Sequence, residues 1–360
     1  MAASHEERKR CWRAWSEWCE HHDLDPELST GKPRETVDAL QAFAAFVRQG
    51  SVDRGKQVGA QTVRVALRAI GAHFELDARP NPCYCDGYTH KCWKAPEQQI
   101  EGYRRADPVP QAKLAVPVSV PRWCVTEGIR SDQPKARAVG DLTNAAFYYL
   151  LRVGECTYLG TKQRTRTHQF RVRDVKFWKN GQVLPLDSGA SALLAANAAT
   201  LTLTNQKNGT KGAVIHNDAI YEPHCPVQSL ARRVSDILAF TDNLETPLSA
   251  YFERGRIRHV YASHINTAVK AAARALKLHL CGFTPDLVSS HSLRAGGAMA
   301  MKLNGEDRDT IRKQGRWSSD AFLMCIHEQI ATFSSGISKR MSRHIPFINL
   351  KGPTIVTASA

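Results

Sequence analysis

The sequence predicts a two-domain, mainly α-helical protein with a small antiparallel β-sheet set into the larger domain. Three observations predict it. Apolar residues recur with helical spacing over residues 5–76 and again beyond about Pro226, two Asn-Gly pairs interrupt stretches that alternate polar and apolar residues, and residues 106–121 are rich in proline. A chain of 360 residues also exceeds the size that one hydrophobic core usually serves, about 250–300 residues.

Taken in order, Trp12, Trp15, Cys19 and His22 form one helical stripe that Leu24-Asp25-Pro26 breaks. Residues 36–48 put Val37, Leu40, Phe43, Ala44 and Val47 on a second stripe, closed by Gly50. A third helix runs from about Ala60 to Phe74 with Val63, Leu67, Ile70 and Phe74 inward; Arg64 and Arg68 lie on its other positions, where they meet phosphates or form a solvated face. Residues 77–94 lose the periodicity and gather Cys83, Cys85, His90 and Cys92. Thiolate and imidazole are zinc donors, but the spacing C-x-C-x4-H-x-C fits ordinary loop thiols better, and no metal is expected there. The expected division is a helical domain over 1–105, a proline-rich linker over 106–122, a larger domain over 123–350 and a tail over 351–360. In the larger domain Lys135 to Leu151 reads as a helix, residues 166–186 and 200–217 as hairpins turning at Asn180-Gly181 and Asn208-Gly209, and the chain beyond Pro226 as several helices.

Lys and Arg number 49 against 34 Asp and Glu, a formal charge of +15. That balance favours a polyanionic partner, nucleic acid first among them. No apolar run is long enough to span a membrane, and the N-terminus carries charges where a signal peptide needs its apolar stretch, so a soluble intracellular protein is expected. The 10 cysteines are scattered and read as reduced thiols.

The residues that suit chemistry lie in the larger domain. His291 and Arg294 sit three apart at the start of a helix that Ser289 or Ser290 can cap, which places a guanidinium fork and an imidazole beside the positive end of a helix dipole. The H-x-x-R spacing is common by chance; His5 and Arg8, and His168 and Arg171, repeat it. Its surroundings are more specific. Gly296-Gly297 follows at once, allowing close helix packing, and Gly315-Arg316-Trp317-Ser318-Ser319-Asp320-Ala321-Phe322 lies downstream. Upstream, an apolar helix delivers Arg152 in the string Leu150-Leu151-Arg152-Val153-Gly154-Glu155, where the guanidinium needs either local pairing with Glu155 or an external anion. Lys207 stands at the tip of the second hairpin, facing a ligand or solvent.

These strings together resemble the tyrosine recombinase/integrase family, and most closely its eukaryotic, transposon-encoded, crypton-like branch. The resemblance spans nearly the whole chain and implies a helical SAM-like core-binding domain joined to an α+β catalytic domain, closed as a clamp on double-stranded DNA. It implies recombination or integration by strand cleavage and rejoining without metal or nucleotide cofactor, with Arg152 and Arg294 holding the scissile phosphate. His291 would assist proton transfer, Lys207 would protonate the leaving 5′-oxygen, and Trp317 would donate its indole N–H to a phosphate oxygen. Arg64, Arg68, Arg104 and Arg105 would neutralise the DNA backbone. A nuclear location and a tetramer on paired sites follow from the same resemblance.

One position departs from the family pattern. The nucleophilic tyrosine belongs in a string like Ala-Phe-Leu-x-Tyr-Ile-His, and here Ala321-Phe322-Leu323-Met324-Cys325-Ile326-His327 places Cys325 there. No tyrosine follows Tyr261. A thiol reaches less far than a phenol and is a poor match for phosphoryl transfer between alkoxides, so the expectation is a DNA-binding protein whose cleavage chemistry is impaired, or a domesticated protein that keeps only the phosphate clamp.

Overall fold

The computed structural model describes residues 5–29, 32–52, 55–85, 91–109, 113–160, 168–204, 211–317 and 323. The chain forms two compact units, Met1–Pro110 and Gln111–Ala360.

The first unit is built from four helices, α1 (His5–His21), α2 (Pro33–Arg48), α3 (Ala60–Leu76) and α4 (Lys94–Ala106). The apolar stripes read from the sequence converge: Trp15, Phe43, Val63 and Ile70 are fully buried, with Trp15 and Phe43 edge-to-face at 5.1 Å. His22, expected on the first stripe, lies just past the helix and is exposed; the Trp15 indole donates to the Pro26 carbonyl at 2.9 Å, so the break at Leu24–Pro26 folds back onto the helix it ends. Asp107, following α4, accepts from the Ala60 N–H at 2.7 Å and pairs with Arg48, which ties the starts and ends of three helices to one carboxylate. Those contacts, the backbone one first, hold its pKa below the ordinary 3.8.

In the second unit, α5 (Ser119–Ser131) begins within the stretch expected as linker, with Pro121 in its first turn, where a missing N–H costs nothing. It packs on α6 (Pro134–Tyr148), whose residues 138–147 are all buried. A helix buried on every side is the centre of its unit, and α6 fills that place. A short helix α7 (Val153–Cys156) follows. Strands β1 (Val175–Lys179), β2 (Gln182–Leu184), β3 (Ala198–Thr202) and β4 (Val214–Asp218) form one antiparallel sheet in the order β2-β1-β3-β4, with the one-turn helix α8 (Ala190–Leu194) between β2 and β3. The Asn180-Gly181 turn forms as expected, with φ of 52° and 80°, the left-handed pair that a tight hairpin requires. Lys207 and Asn208-Gly209, between β3 and β4, lie outside the described residues.

Beyond α9 (Pro226–Leu238) the chain departs from the expected run of helices. Strands β5 (Ala250–Glu253) and β6 (Arg256–His259) form a separate hairpin turned by Arg254 and Gly255, both at positive φ. Arg-Gly supplies that turn without the Asn or Asp by which a sequence usually announces it. Helices α10 (Ala262–Ala275), α11 (His291–Leu303) and α12 (Arg308–Gly315) complete the described fold. Arg233 of α9 is fully buried and donates to the Leu248 and Ala250 carbonyls, so this arginine holds the β5 approach.

Helices α11 and α6 touch through Gly296 and Gly297. A Cβ at Gly297 would stand 2.2 Å from the Phe147 carbonyl oxygen, and one at Gly296 would stand 2.2 Å from that of Val116. Neither backbone can retreat without moving a buried helix or strand of chain. Gly297→Ala is therefore expected to cost about 1–3 kcal/mol, read as an earlier urea midpoint for the second unit. An unchanged midpoint would contradict the packing described.

Candidate phosphate-binding site

The site forms where three loop-to-helix junctions of the second unit meet. After α6 the backbone turns through Leu150, a non-glycine residue at φ 48°, and Arg152 becomes the residue preceding α7. Glu155, in the first turn of α7, accepts from the Arg152 N–H at 2.8 Å and from the Arg152 guanidinium at 3.0 Å. Glu155 is 1% exposed. The local pairing considered for Arg152 is thus real.

Arg294 reaches the same place from α11. It is 5% exposed, donates one nitrogen to the Leu150 carbonyl and another to the Gly315 carbonyl, and lays its guanidinium 4.3 Å from the centre of the Trp317 ring. Gly315 has to be glycine, since a Cβ there would fall 1.6 Å from the Trp317 ring. His291 opens α11, as expected, although Ser290 makes no side-chain cap; the Ser289 hydroxyl instead accepts from the His291 N–H at 3.3 Å.

The structure adds a residue that the sequence reading passed over. Arg316 follows α12 in the left-handed conformation, φ 56°, and turns its side chain inward until 6% of it is exposed. One nitrogen donates to the Leu150 carbonyl at 2.8 Å and to Glu155 at 3.0 Å. Arg152 and Arg316 therefore share the Glu155 carboxylate, and Arg294 joins Arg316 on the Leu150 carbonyl, so among the described residues three guanidiniums stand around one carboxylate. Such a cluster favours an oxyanion with several acceptor atoms. Nothing in the string Gly315-Arg316-Trp317 signals that the arginine faces inward; only the left-handed turn decides it.

The charge cluster also acts on His291. Partial desolvation of the ring, then repulsion from Arg294 and Arg152, holds its pKa below the ordinary 6.5. The imidazole is thus kept neutral near pH 7, able to accept or relay a proton.

Of the other expected site residues, Lys207 and Cys325 lie outside the described residues. Arg64 donates to Glu97 at 3.1 Å and, with Arg68, lines a cavity of about 440 Å³ in the first unit. Arg104 and Arg105 both reach Glu101, whose carboxyl they hold at about 2, the Arg104 hydrogen bond contributing most. Arg64 is half-buried, and Arg68, Arg104 and Arg105 are exposed. Near Cys83 and Cys85 the chain pairs Tyr84 with Cys92 across a single β-bridge, and the Cys85 N–H donates to the Lys91 carbonyl at 2.8 Å. His90 lies outside the described residues, and among those described no three potential metal ligands come together.

Two outcomes follow. The His291 ring should titrate below pH 6.5 by proton NMR; because the unfolded chain then takes up the proton more readily, this residue lowers stability as pH falls through 6.5 and has no effect above it. A titration at or above 6.5 would remove the charge cluster as its cause. Glu155→Gln leaves clustered guanidiniums without their counter-charge and should destabilise the second unit by roughly 3–5 kcal/mol in urea.

No protein-family model matches the sequence, and no curated protein is similar to it. Solved structures are similar in fold. The XerH site-specific recombinase, in a post-cleavage complex with a palindromic difH substrate, aligns with a TM-score of 0.50 at 12% identity, over 91% of this chain and 77% of that one. The Tn1549 transposon integrase bound to transposon right-end DNA aligns at 0.48 and 10% identity, over 92% and 99%. A lambda integrase dimer bound to a COC′ core site aligns at 0.46 and 12%, over 94% and 91%. With its helical first unit and its mainly α second unit carrying a small antiparallel sheet, the chain has the fold of the tyrosine recombinases.

Proposed function

We propose that the protein binds double-stranded DNA and holds one backbone phosphate at the junction of Arg152, His291, Arg294 and Trp317. The observation that carries this reading is the cluster itself: guanidiniums from three separate segments meet at one junction, Arg152 and Arg316 on the Glu155 carboxylate and Arg294 and Arg316 on the Leu150 carbonyl, a concentration of positive charge that suits an oxyanion. The chain's +15 charge supports the same class of partner. The XerH site-specific recombinase, of like fold, is bound to a palindromic difH substrate in a post-cleavage complex.

In a site of this kind a hydroxyl attacks the scissile phosphate, its phosphodiester to the 5′-oxygen breaks, and a general acid returns a proton to that oxygen. Arg152 and Arg294 would stabilise the charge on the non-bridging oxygens, neutral His291 would move the proton, and Lys207 would act as the acid. No metal is required where fixed cations stand around the phosphate. With Cys325 in the nucleophile's place, the protein keeps the grip and loses the covalent step, a transposon-derived recombinase retained for binding and working, by its resemblance, in the nucleus as an oligomer on paired sites.

Binding should weaken steeply with salt, log K falling against log salt by about 0.9 per phosphate contacted. Arg152→Ala should reduce that slope by about 1 on any duplex sequence. A flat salt response would overturn DNA binding. On a nicked suicide duplex, denaturing gels should reveal no covalent adduct with the natural chain, and an adduct with Cys325→Tyr. An adduct from the natural chain would overturn the loss of cleavage; none from either, with binding intact, would place the loss beyond position 325.

A further inference from the structure

We infer that Arg316 is a third phosphate-contacting guanidinium of this site, a ligand to the bound backbone phosphate as well as a brace for Glu155. The inference rests on the phosphate site proposed above and adds to it a residue outside the set Arg152, Lys207, His291, Arg294 and Trp317.

The first ground is the satisfaction of its donors. Arg316 uses one terminal nitrogen for the Leu150 carbonyl and Glu155, while its Nε and its other terminal nitrogen are buried and have no hydrogen-bond partner among the described residues. A guanidinium has five N–H donors and cannot shed its charge, so buried donors of this kind call for an acceptor. Were Arg316 a brace alone, an unpaired edge would be a cost with no return.

The second ground is conformational. Arg316 holds φ 56°, a left-handed conformation that a bulky residue adopts only when its surroundings impose it, and the carbonyl it grips belongs to Leu150, itself at φ 48°. The same Leu150 oxygen takes a hydrogen bond from Arg294. Two strained backbone positions thus bring Arg294 and Arg316 onto one acceptor and, through Glu155, bring Arg316 beside Arg152. Three like charges placed together this way repel one another, which an anion with three available oxygens would relieve. A phosphodiester group offers two charged oxygens and two ester oxygens around one phosphorus, where a carboxylate offers two oxygens in all.

The test follows thermal unfolding and binding of the full chain with inorganic phosphate, against sodium chloride at equal ionic strength, for the natural protein, Arg316→Lys and Arg316→Met. A lysine can serve Glu155 or the anion but lacks the fork to serve both. The natural chain should be stabilised by phosphate, and both variants should bind it about tenfold more weakly. Both should also lower the salt slope for a mixed-sequence duplex by about 1. Variants that unfold earlier yet keep the phosphate Kd would reduce Arg316 to a brace and overturn the inference. A natural chain indifferent to phosphate and duplex alike would overturn the phosphate site itself. Weaker phosphate with an unchanged duplex slope would make free phosphate the ligand and overturn the assignment to DNA. If neither variant folds, arginine Nε–Hε signals of the natural protein decide: three that shift on adding phosphate support the inference, and two exclude Arg316.

Discussion

The carbonyl of Leu150 and the carboxylate of Glu155 hold together the charged junction on which the second unit's site depends. Two guanidiniums, from α11 and from the end of α12, donate to that carbonyl, and two, from the start of α7 and the end of α12, donate to that carboxylate. Each segment alone would leave a buried cation, which is unfavourable; together they meet on one carbonyl and one carboxylate, while among the described residues two buried Arg316 nitrogens have no hydrogen-bond partner. The site is therefore a property of the junction and of no single helix.

The rest of the unit keeps that junction narrow. Helix α6 is buried on all sides, and Gly296 and Gly297 let α11 approach its C-terminal turn to backbone contact, which sets where Arg294 emerges. Gly315 then makes room for Trp317, whose ring lies against Arg294. A ring against the guanidinium limits its rotation while leaving its charge intact, so orientation is fixed by packing and attraction comes from charge. Desolvation and the neighbouring Arg294 and Arg152 favour the neutral form of His291 beside that pair.

Much of this could be read from residue order. The three inward stripes of the first unit, the hairpin at Asn180-Gly181 and the helix beginning at His291 follow from periodicity and turn chemistry, because those are local properties of a chain. Arg152, His291 and Arg294 were legible as a set through their surrounding strings. Helices α4 and α5 and the β5–β6 hairpin were not: prolines and an Arg-Gly turn obscured them, and their burial depends on neighbours far along the chain.

By itself the sequence determined the charge and the class of fold, and it singled out Arg152, His291 and Arg294. Tertiary structure alone decided that Glu155 is shared, that Arg64, Arg104 and Arg105 meet carboxylates of their own unit, and that Arg316 turns inward. The physical reason is the same in each case. A charged side chain's role depends on its partners' distance and on the water left between them, and neither is encoded in spacing along the chain.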